Sequence, residues 1–451
     1  MSPSPTSVSN YLDTASFTGT TRRVPILCCL LMLTEGMDTY GVGYVGPFLT
    51  RDYALSPSLL GVIYTGTVIA SLLGAVGVAP LSDKFGRRPV LVLSSLLMGL
   101  CTLLTPFAAN GVALFAVRFL IGLGFGAAVP TAFALTSDYA PTRHRALVTM
   151  MMSSGVALGM VLAGFLSAAI IPPFGWRALL YLSGCLSLLW TLVLAAWLPE
   201  SLRFLASRRS GSAAFRKLID ALAAERREPA PFLVEPVRAK ELQPVRALFS
   251  EGRAGLTLLL WFAMSATYCA EFFMSYWLPT VLITGGTKIV GAGLVLAIGK
   301  IGSILGAIAV GWTMDRGGPA RVLSLAFLVA ALAIWALGES AGIVVIAAPL
   351  VVLTCFFLDG SFAGIQALTA ASYPDAMRAT GSGWVTGFAR LLGGGLGTMS
   401  GGWLIEAHWT IPAIASVLAL PMLLGSLAML LIHRRSMRIA SDPALLQVQV
   451  R

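Results

Sequence analysis

The sequence predicts an all-α membrane protein: twelve transmembrane helices in two pseudo-symmetric halves of six. Three observations lead there. Of the 451 residues, 57% are hydrophobic and only 11% charged, with a mean hydropathy of +0.84, too greasy for a soluble chain of this length. Apolar runs of roughly 18–25 residues recur, the length needed to cross a ~30 Å hydrocarbon core. A polar turn pattern is also written twice, once in each half. Ala79-Pro80-Leu81-Ser82-Asp83-Lys84-Phe85-Gly86-Arg87-Arg88 follows the second apolar run, and Gly311-Trp312-Thr313-Met314-Asp315-Arg316 follows the eighth.

The predicted spans lie near 24–49, 58–80, 89–109, 112–137, 147–171, 178–198, 255–283, 289–313, 320–337, 341–370, 381–404 and 410–432. Each is expected to be a helix, because lipid cannot satisfy open backbone polar groups and no barrel-type alternation is present. The net charge of +11 invites a nucleic-acid reading, which its distribution excludes. Only Arg51, Arg177 and Lys288 fall in the loops assigned outside, and Arg118, Lys300 and Arg390 lie within spans. The other Lys and Arg occupy the tails and alternate loops, so these face the cytoplasm by the positive-inside rule, as do both termini.

This gives a cytoplasmic tail over 1–23, a six-helix half over 24–198, a cytoplasmic linker over 199–253, a second half over 254–433 and a tail over 434–451. The first 23 residues are Ser/Thr-rich and run into a full-length span without a cleavage site, so they read as a disordered tail and not as a signal peptide. In the linker, Ala213–Ala224 carries apolar residues at helical spacing, predicting a short helix on the inner membrane surface. Cys28, Cys29, Cys101, Cys185, Cys269 and Cys355 all fall in spans without metal or redox spacing and read as small apolar filler. No metal, cofactor or nucleic-acid partner is expected. No nucleophile–base pair or phosphate loop stands out, which argues against an enzyme. A sensor would need a signalling domain, and neither tail is long enough to fold as one.

A second element is duplicated. Asp138-Tyr-Ala-Pro141-Thr-Arg-His-Arg145 follows the fourth span, and Tyr373-Pro374-Asp-Ala-Met-Arg378 follows the tenth, placing Pro-x-x-x-Arg in matching inner loops. Together with the Asp–cation turns, this resembles the parallel six-helix halves of the major facilitator superfamily. The resemblance implies its twelve-helix fold and a cytoplasmic gate at Asp83, Lys84, Gly86, Arg87 and Arg88, with Asp315 and Arg316 as the second copy. Asp138, Arg145 and Arg378 join the gate as inner-loop charges. Physically, Asp83 suits a helix N-terminus, and Arg87 and Arg88 are expected to pair with acids such as Asp138.

Seven charges remain inside the spans: Glu35, Asp38, Arg118, Glu271, Lys300, Asp359 and Arg390. Each costs ~2.5–3.5 kcal/mol at a helix centre, so they are expected to face a polar cavity or one another. Glu35-Gly36-Met37-Asp38 puts two carboxylates on one helix face, with Cβ atoms ~5–6 Å apart. Two like charges that close favour retention of a proton. Asp38 is therefore the first candidate for proton coupling, with Glu35 sharing or tuning the role and Arg118 as its ionic partner. Arg390 suits an anionic substrate, because a planar guanidinium grips a carboxylate through two parallel hydrogen bonds. Arg118 is a second candidate for that task. Gly393-Gly394-Gly395 beside Arg390 either leaves space or serves close helix packing. Lys300 and Asp359, in the eighth and tenth spans, are candidates to pair.

The acid-Gly-x-Asp element resembles the signature of the aromatic acid:proton symporter family within that superfamily, with Glu35 in place of the usual Asp. Further matches are Arg118-Phe-Leu-Ile-Gly122-Leu-Gly124-Phe-Gly126, Thr136-Ser137-Asp138-Tyr139, and Arg378-Ala-Thr-Gly381-x-Gly383-Trp384 leading to Gly387-Phe-Ala-Arg390. The resemblance implies that Asp38 couples protons and that Arg118 and Arg390 take part in transport. Tyr40, Tyr44, Phe133, Tyr268, Phe272, Tyr276, Trp277 and Phe388 are candidate ring contacts, Tyr40, Tyr268 and Phe388 foremost. The fifth span, Gly155-Val-Ala-Leu-Gly159-Met-Val-Leu-Ala-Gly164, lacks the Gly-Pro that marks many proton antiporters of this superfamily, which favours uptake.

The expectation is proton-coupled uptake of a small organic acid, foremost an aromatic carboxylate, by a monomer in a bacterial inner membrane. The alternatives are a carrier of a non-aromatic carboxylate or a drug-efflux antiporter.

Overall fold

The structure is a computed structural model that describes residues 6–7, 19–208, 212–226, 233–234, 245–250, 252–340, 343–374 and 377–441. In the first half the long helices are α1 (Thr20–Asp52), α2 (Pro57–Leu73), α3 (Arg87–Leu104), α4 (Gly111–Tyr139), α5 (Arg145–Phe174) and α6 (Trp176–Trp197). Two short helices follow, α7 (Leu202–Arg208) and α8 (Ala213–Arg226). The second half holds α9 (Ala254–Thr284), α10 (Ile289–Gly317), α11 (Pro319–Glu339), α12 (Val344–Ser372), α13 (Arg378–Ala389), α14 (Gly395–Glu406) and α15 (Ile411–Ser441).

Among the described residues, eleven helical segments are long and apolar enough to cross a membrane. The expected span at 381–404 is the twelfth. Its helical path runs from Arg378 to Glu406 but is interrupted by a π-turn over Arg390–Gly394, so neither α13 nor α14 alone has membrane length. The all-α architecture of twelve spans predicted from hydropathy is therefore present. Among the described residues the only strands are Thr6–Ser7 and Leu233–Val234, which pair in parallel over two residues. The tail expected over 1–23 lies outside the described residues at 1–5 and 8–18, as do 442–451 of the C-terminal tail and much of the linker, including Arg209 and Arg227.

Packing divides the chain into two compact units. One contains α1 as far as Gly41, Ile69–Ala163 and the chain from Phe174 through α8. The other contains Val42–Val68, Gly164–Pro173 and α9 to α15. In the first unit, α3 packs against both α4 and α6. Its core joins Leu27, Leu31 and Met32 of α1 to Leu91, Leu135, Tyr139, Met152 and Leu194. In the second, α10 packs along α12, and α11 along α15.

Lipid tails are as apolar as leucine, so such contacts hold by close packing more than by exclusion of water. Glycines set the closest approaches. A Cβ at Gly36 of α1 would collide with the Val156 backbone of α5, and one at Gly159 of α5 with the Leu33 carbonyl. In the second unit the corner joining α1 to α2 is held to the later helices. Thr65 and Thr398 hydroxyls bond at 2.8 Å, and the Trp277 indole donates to the Thr398 carbonyl at 2.7 Å. The Ser58 backbone N–H donates to Glu406 at 2.9 Å.

The helix predicted at Ala213–Ala224 forms as α8, and its apolar stripe is covered by protein. Phe215, Leu218, Ile219 and Leu222 pack against Leu202, Phe204 and Leu205 of α7.

Candidate functional site

In the first unit the acid pair sits deep within α1. Glu35 and Asp38 are 3% and 1% exposed, and Arg118 of α4 is 1% exposed. Full burial of three ionic groups in an apolar bundle is tolerated where they compensate one another or serve a function. Asp38 Oδ2 accepts a hydrogen bond from the Thr102 hydroxyl of α3. Asp38 lies within electrostatic reach of Arg118, and Glu35 of Asp38. Neither Asp38 Oδ1, Glu35 Oε2 nor any Arg118 nitrogen has a hydrogen-bond partner among the described residues. Such unsatisfied buried groups call for a ligand, water or a proton. Gly36 builds this arrangement, because its missing side chain lets α1 close on α5 beside the two acids.

In the second unit Arg390 opens the π-turn over Arg390–Gly394. π-turns inside helices are rare and concentrate at functional positions. The Arg390 guanidinium lies over the Phe272 ring, 5.9 Å from its centroid. Phe272 belongs to a ladder on α9: Tyr268 at 5.7 Å and Tyr276 at 5.9 Å flank it between ring centroids. Phe362 of α12 meets Tyr268 edge-on at 5.1 Å. Gly393 turns out to be a packing glycine, since a Cβ there would strike the Ser265 backbone of α9. The candidate Phe388 stacks on Trp261 at 4.4 Å, with Trp384 beyond at 6.5 Å, which places it in a separate aromatic group. Tyr40 lies on α1, two residues beyond Asp38.

The inner-loop charges of the first half converge. Arg87 pairs with Asp138 and lies 3.8 Å from Asp83. Asp138 also accepts from the Ser201 hydroxyl and stands 3.9 Å from Arg203. Arg88 does not join Asp138; it donates to the Ala195 carbonyl. Asp83, expected to cap a helix, has a side chain 77% exposed. Glu200 caps α3 instead, accepting from the backbone N–H of Arg87 at 2.8 Å and of Arg88 at 3.3 Å. Gly86 makes the turn with φ +112°, and a Cβ there would meet the Glu200 carboxylate. Lys84 lies 5.4 Å from the Phe85 ring centroid. Arg145 begins α5 and shares its first turn with Thr149, which donates to the Arg145 carbonyl at 2.9 Å. In the second half Arg316 lies over the Trp312 ring at 3.6 Å, Asp315 is exposed, and Arg378 donates to the Ala370 carbonyl at 2.7 Å.

Sequence reasoning missed Glu200, Ser201 and Arg203; the expected Lys300–Asp359 pair forms, and Glu271 is a second, nearer partner that was not foreseen. Lys300 Nζ lies 2.6 Å from Glu271 and 3.6 Å from Asp359. Glu271 was already visible as a charge within a span, and that intramembrane charge was the signal available.

Residues 28–398 match the Major Facilitator Superfamily. The chain is 37% identical over 416 residues to the 4-hydroxybenzoate transporter PcaK of Pseudomonas aeruginosa, covering 91% of this chain and 92% of that one. It is 34% identical over 434 residues to the gallate transporter of Pseudomonas putida, covering 94% and 95%. Among solved structures it resembles the D-xylose–proton symporter in fold, with a TM-score of 0.70 at 17% identity and coverage of 91% and 97%. The chain thus belongs to the major facilitator superfamily and, within it, to the aromatic acid transporters.

Proposed function

We propose that this protein carries an aromatic carboxylate, of the hydroxybenzoate kind, into a bacterial cell together with protons. Asp38 binds the coupling proton, with Glu35 adjusting its affinity and Arg118 as the group that holds or releases it. Arg390 binds the substrate carboxylate while Tyr268 and Phe272 flank the ring. The observation that carries the reading is the guanidinium of Arg390 set against a ladder of aromatic rings. A ring bearing an anionic group needs both elements, and similarity to transporters named for 4-hydroxybenzoate and gallate supports it.

The transport cycle follows from the charges. Protonation of Asp38 weakens its attraction to Arg118 and leaves that buried cation free to attract an anion. Carboxylate binding at Arg390 then neutralises that guanidinium. The two halves alternate between the two sides of the membrane, with the Asp83–Arg88 turn, Asp138, Arg145, Asp315, Arg316 and Arg378 latching the inner side. The basic loops and bacterial relatives support an inner-membrane protein with both termini cytoplasmic; that it works as a monomer is part of the same proposal.

The test is uptake of radiolabelled 4-hydroxybenzoate by proteoliposomes under an inward proton gradient, with and without a proton ionophore. Accumulation that collapses with the ionophore is expected. Equal uptake in both conditions removes proton coupling. Uptake of an aliphatic carboxylate in preference to the aromatic one removes the aromatic assignment, and proton-driven expulsion points to an antiporter.

A further inference from the structure

We propose that Glu271 is a second proton-binding site, built into the second half and separate from the Asp38 pair. Its role in transport rests on the proton-coupled reading above; proton binding itself does not.

Three spans bring the site together: Glu271 from α9, Lys300 from α10 and Asp359 from α12. Glu271 is 8% exposed and Lys300 5% exposed. One ammonium faces two carboxylates, so with all three ionised the cluster carries an uncompensated negative charge within the bilayer. Lys300 is shared unequally, 2.6 Å from Glu271 Oε1 and 3.6 Å from Asp359 Oδ2. The neighbouring hydroxyl donors are committed as well. Ser275 donates to Glu271 Oε1 at 3.0 Å, and Ser303 donates to Asp359. Glu271 Oε2 is left buried with no hydrogen-bond partner among the described residues.

The remaining groups do not supply the missing positive charge. Tyr44 and Cys355 are within electrostatic reach of Lys300, and neither a phenol nor a thiol carries positive charge. Tyr268 is within electrostatic reach of both Glu271 and Arg390, and a phenol carries no positive charge. A metal cation would need several oxygens around it, and the described residues contain no group of three or more His, Cys, Asp or Glu side chains able to hold one. A proton needs a single oxygen, and Oε2 is open.

The step balances as simple proton binding. A hydronium ion reaches the cluster from the Asp359 edge, where the side chain is 23% exposed. Its proton forms an O–H bond at Glu271 Oε2 and water leaves. Lys300 keeps all its protons and shifts its ion pair onto Asp359, so the cluster becomes neutral. Tyr268, one turn before Glu271 on α9, is within electrostatic reach of Arg390 as well, so in the proposed cycle a proton on Glu271 alters the field near the carboxylate site.

The test is an infrared pH titration of the purified full chain without substrate, reading the carbonyl band of buried protonated carboxyls in water and deuterium oxide. A titrating band that persists in the E35Q/D38N double variant and is lost in E271Q is the expected result. If E271Q does not fold, E271D displaces the band to a new frequency. A band unmoved in both Glu271 variants overturns the assignment. So does a band that disappears in D359N while surviving in E271Q, which puts the proton on Asp359. Because no substrate is added, failure of the aromatic-acid reading leaves this result intact.

Discussion

Replacing Arg390 with Lys keeps the positive charge on the π-turn and removes the planar fork. A guanidinium donates two parallel hydrogen bonds to a carboxylate, whereas an ammonium in the same place aligns one. One charge-assisted hydrogen bond contributes ~1.5–3 kcal/mol. The Phe272 ring at 5.9 Å adds a cation–π attraction that Lys keeps in part, so the lost hydrogen bond decides the outcome. At ~1.4 kcal/mol per factor of ten, 4-hydroxybenzoate should bind R390K about 10- to 150-fold more weakly. Equilibrium binding of the radiolabelled acid to purified protein measures this. The control is 4-hydroxybenzyl alcohol, which keeps the ring and lacks the carboxylate, and its affinity should be nearly the same in both proteins. An R390K protein that binds the acid as tightly as the parent, or that loses acid and alcohol equally, refutes a carboxylate contact at Arg390.

Three further outcomes follow from the same geometry. Gly86→Ala forces a side chain into a backbone region with φ +112° and against Glu200, so thermal unfolding in detergent should show a loss of ~1–3 kcal/mol. Asp138→Asn removes the counter-ion of Arg87, whose side chain is 16% exposed; breaking a buried pair costs ~3–5 kcal/mol, the partial exposure points to the lower end, and Ser201→Ala should cost less in the same assay. Glu406 titrates below its ordinary value of 4.5 because it accepts hydrogen bonds from the Ser58 hydroxyl and backbone N–H. Since its folded-state value is the lower one, its hold on α2 is complete above 4.5 and is lost as pH falls through the depressed value. Spin labels flanking Ser58 and Glu406 should separate only in that acidic window, and Glu406→Gln should abolish the pH dependence.

Much of the fold was legible because a bilayer leaves so few choices. Hydropathy and the requirement for internal backbone hydrogen bonds located the spans. Duplicated turns suggested two halves, whereas packing assigns Val42–Val68 and Gly164–Pro173 to the unit of the later helices. Local spacing also revealed the acid pair, since Glu35 and Asp38 share a helix face whatever surrounds them. Pairings between distant segments were harder to read. Glu200 caps α3 from 113 positions away, and nothing in its own neighbourhood distinguishes it from a surface acid. Asp83 looked like the better cap because it is adjacent, yet it faces outward. Lys300 had two acids available, and only the packing of α9 against α10 decides that Glu271 is nearer. The π-turn at Arg390 was invisible to hydropathy, which averages over a span and does not register one extra residue in a turn. The glycine run beside it was visible, but whether it made space or close contact depended on where Ser265 lay.

In the proposed cycle Asp38 ties substrate movement to protons, and Asp38→Asn in proteoliposomes is the sharpest test of that role. With 4-hydroxybenzoate at equal pH on both sides, the variant should still exchange labelled for unlabelled acid across the membrane. Under an inward proton gradient it should fail to accumulate the acid above the external concentration. Gradient-driven accumulation by D38N at the parent level would remove Asp38 from proton coupling.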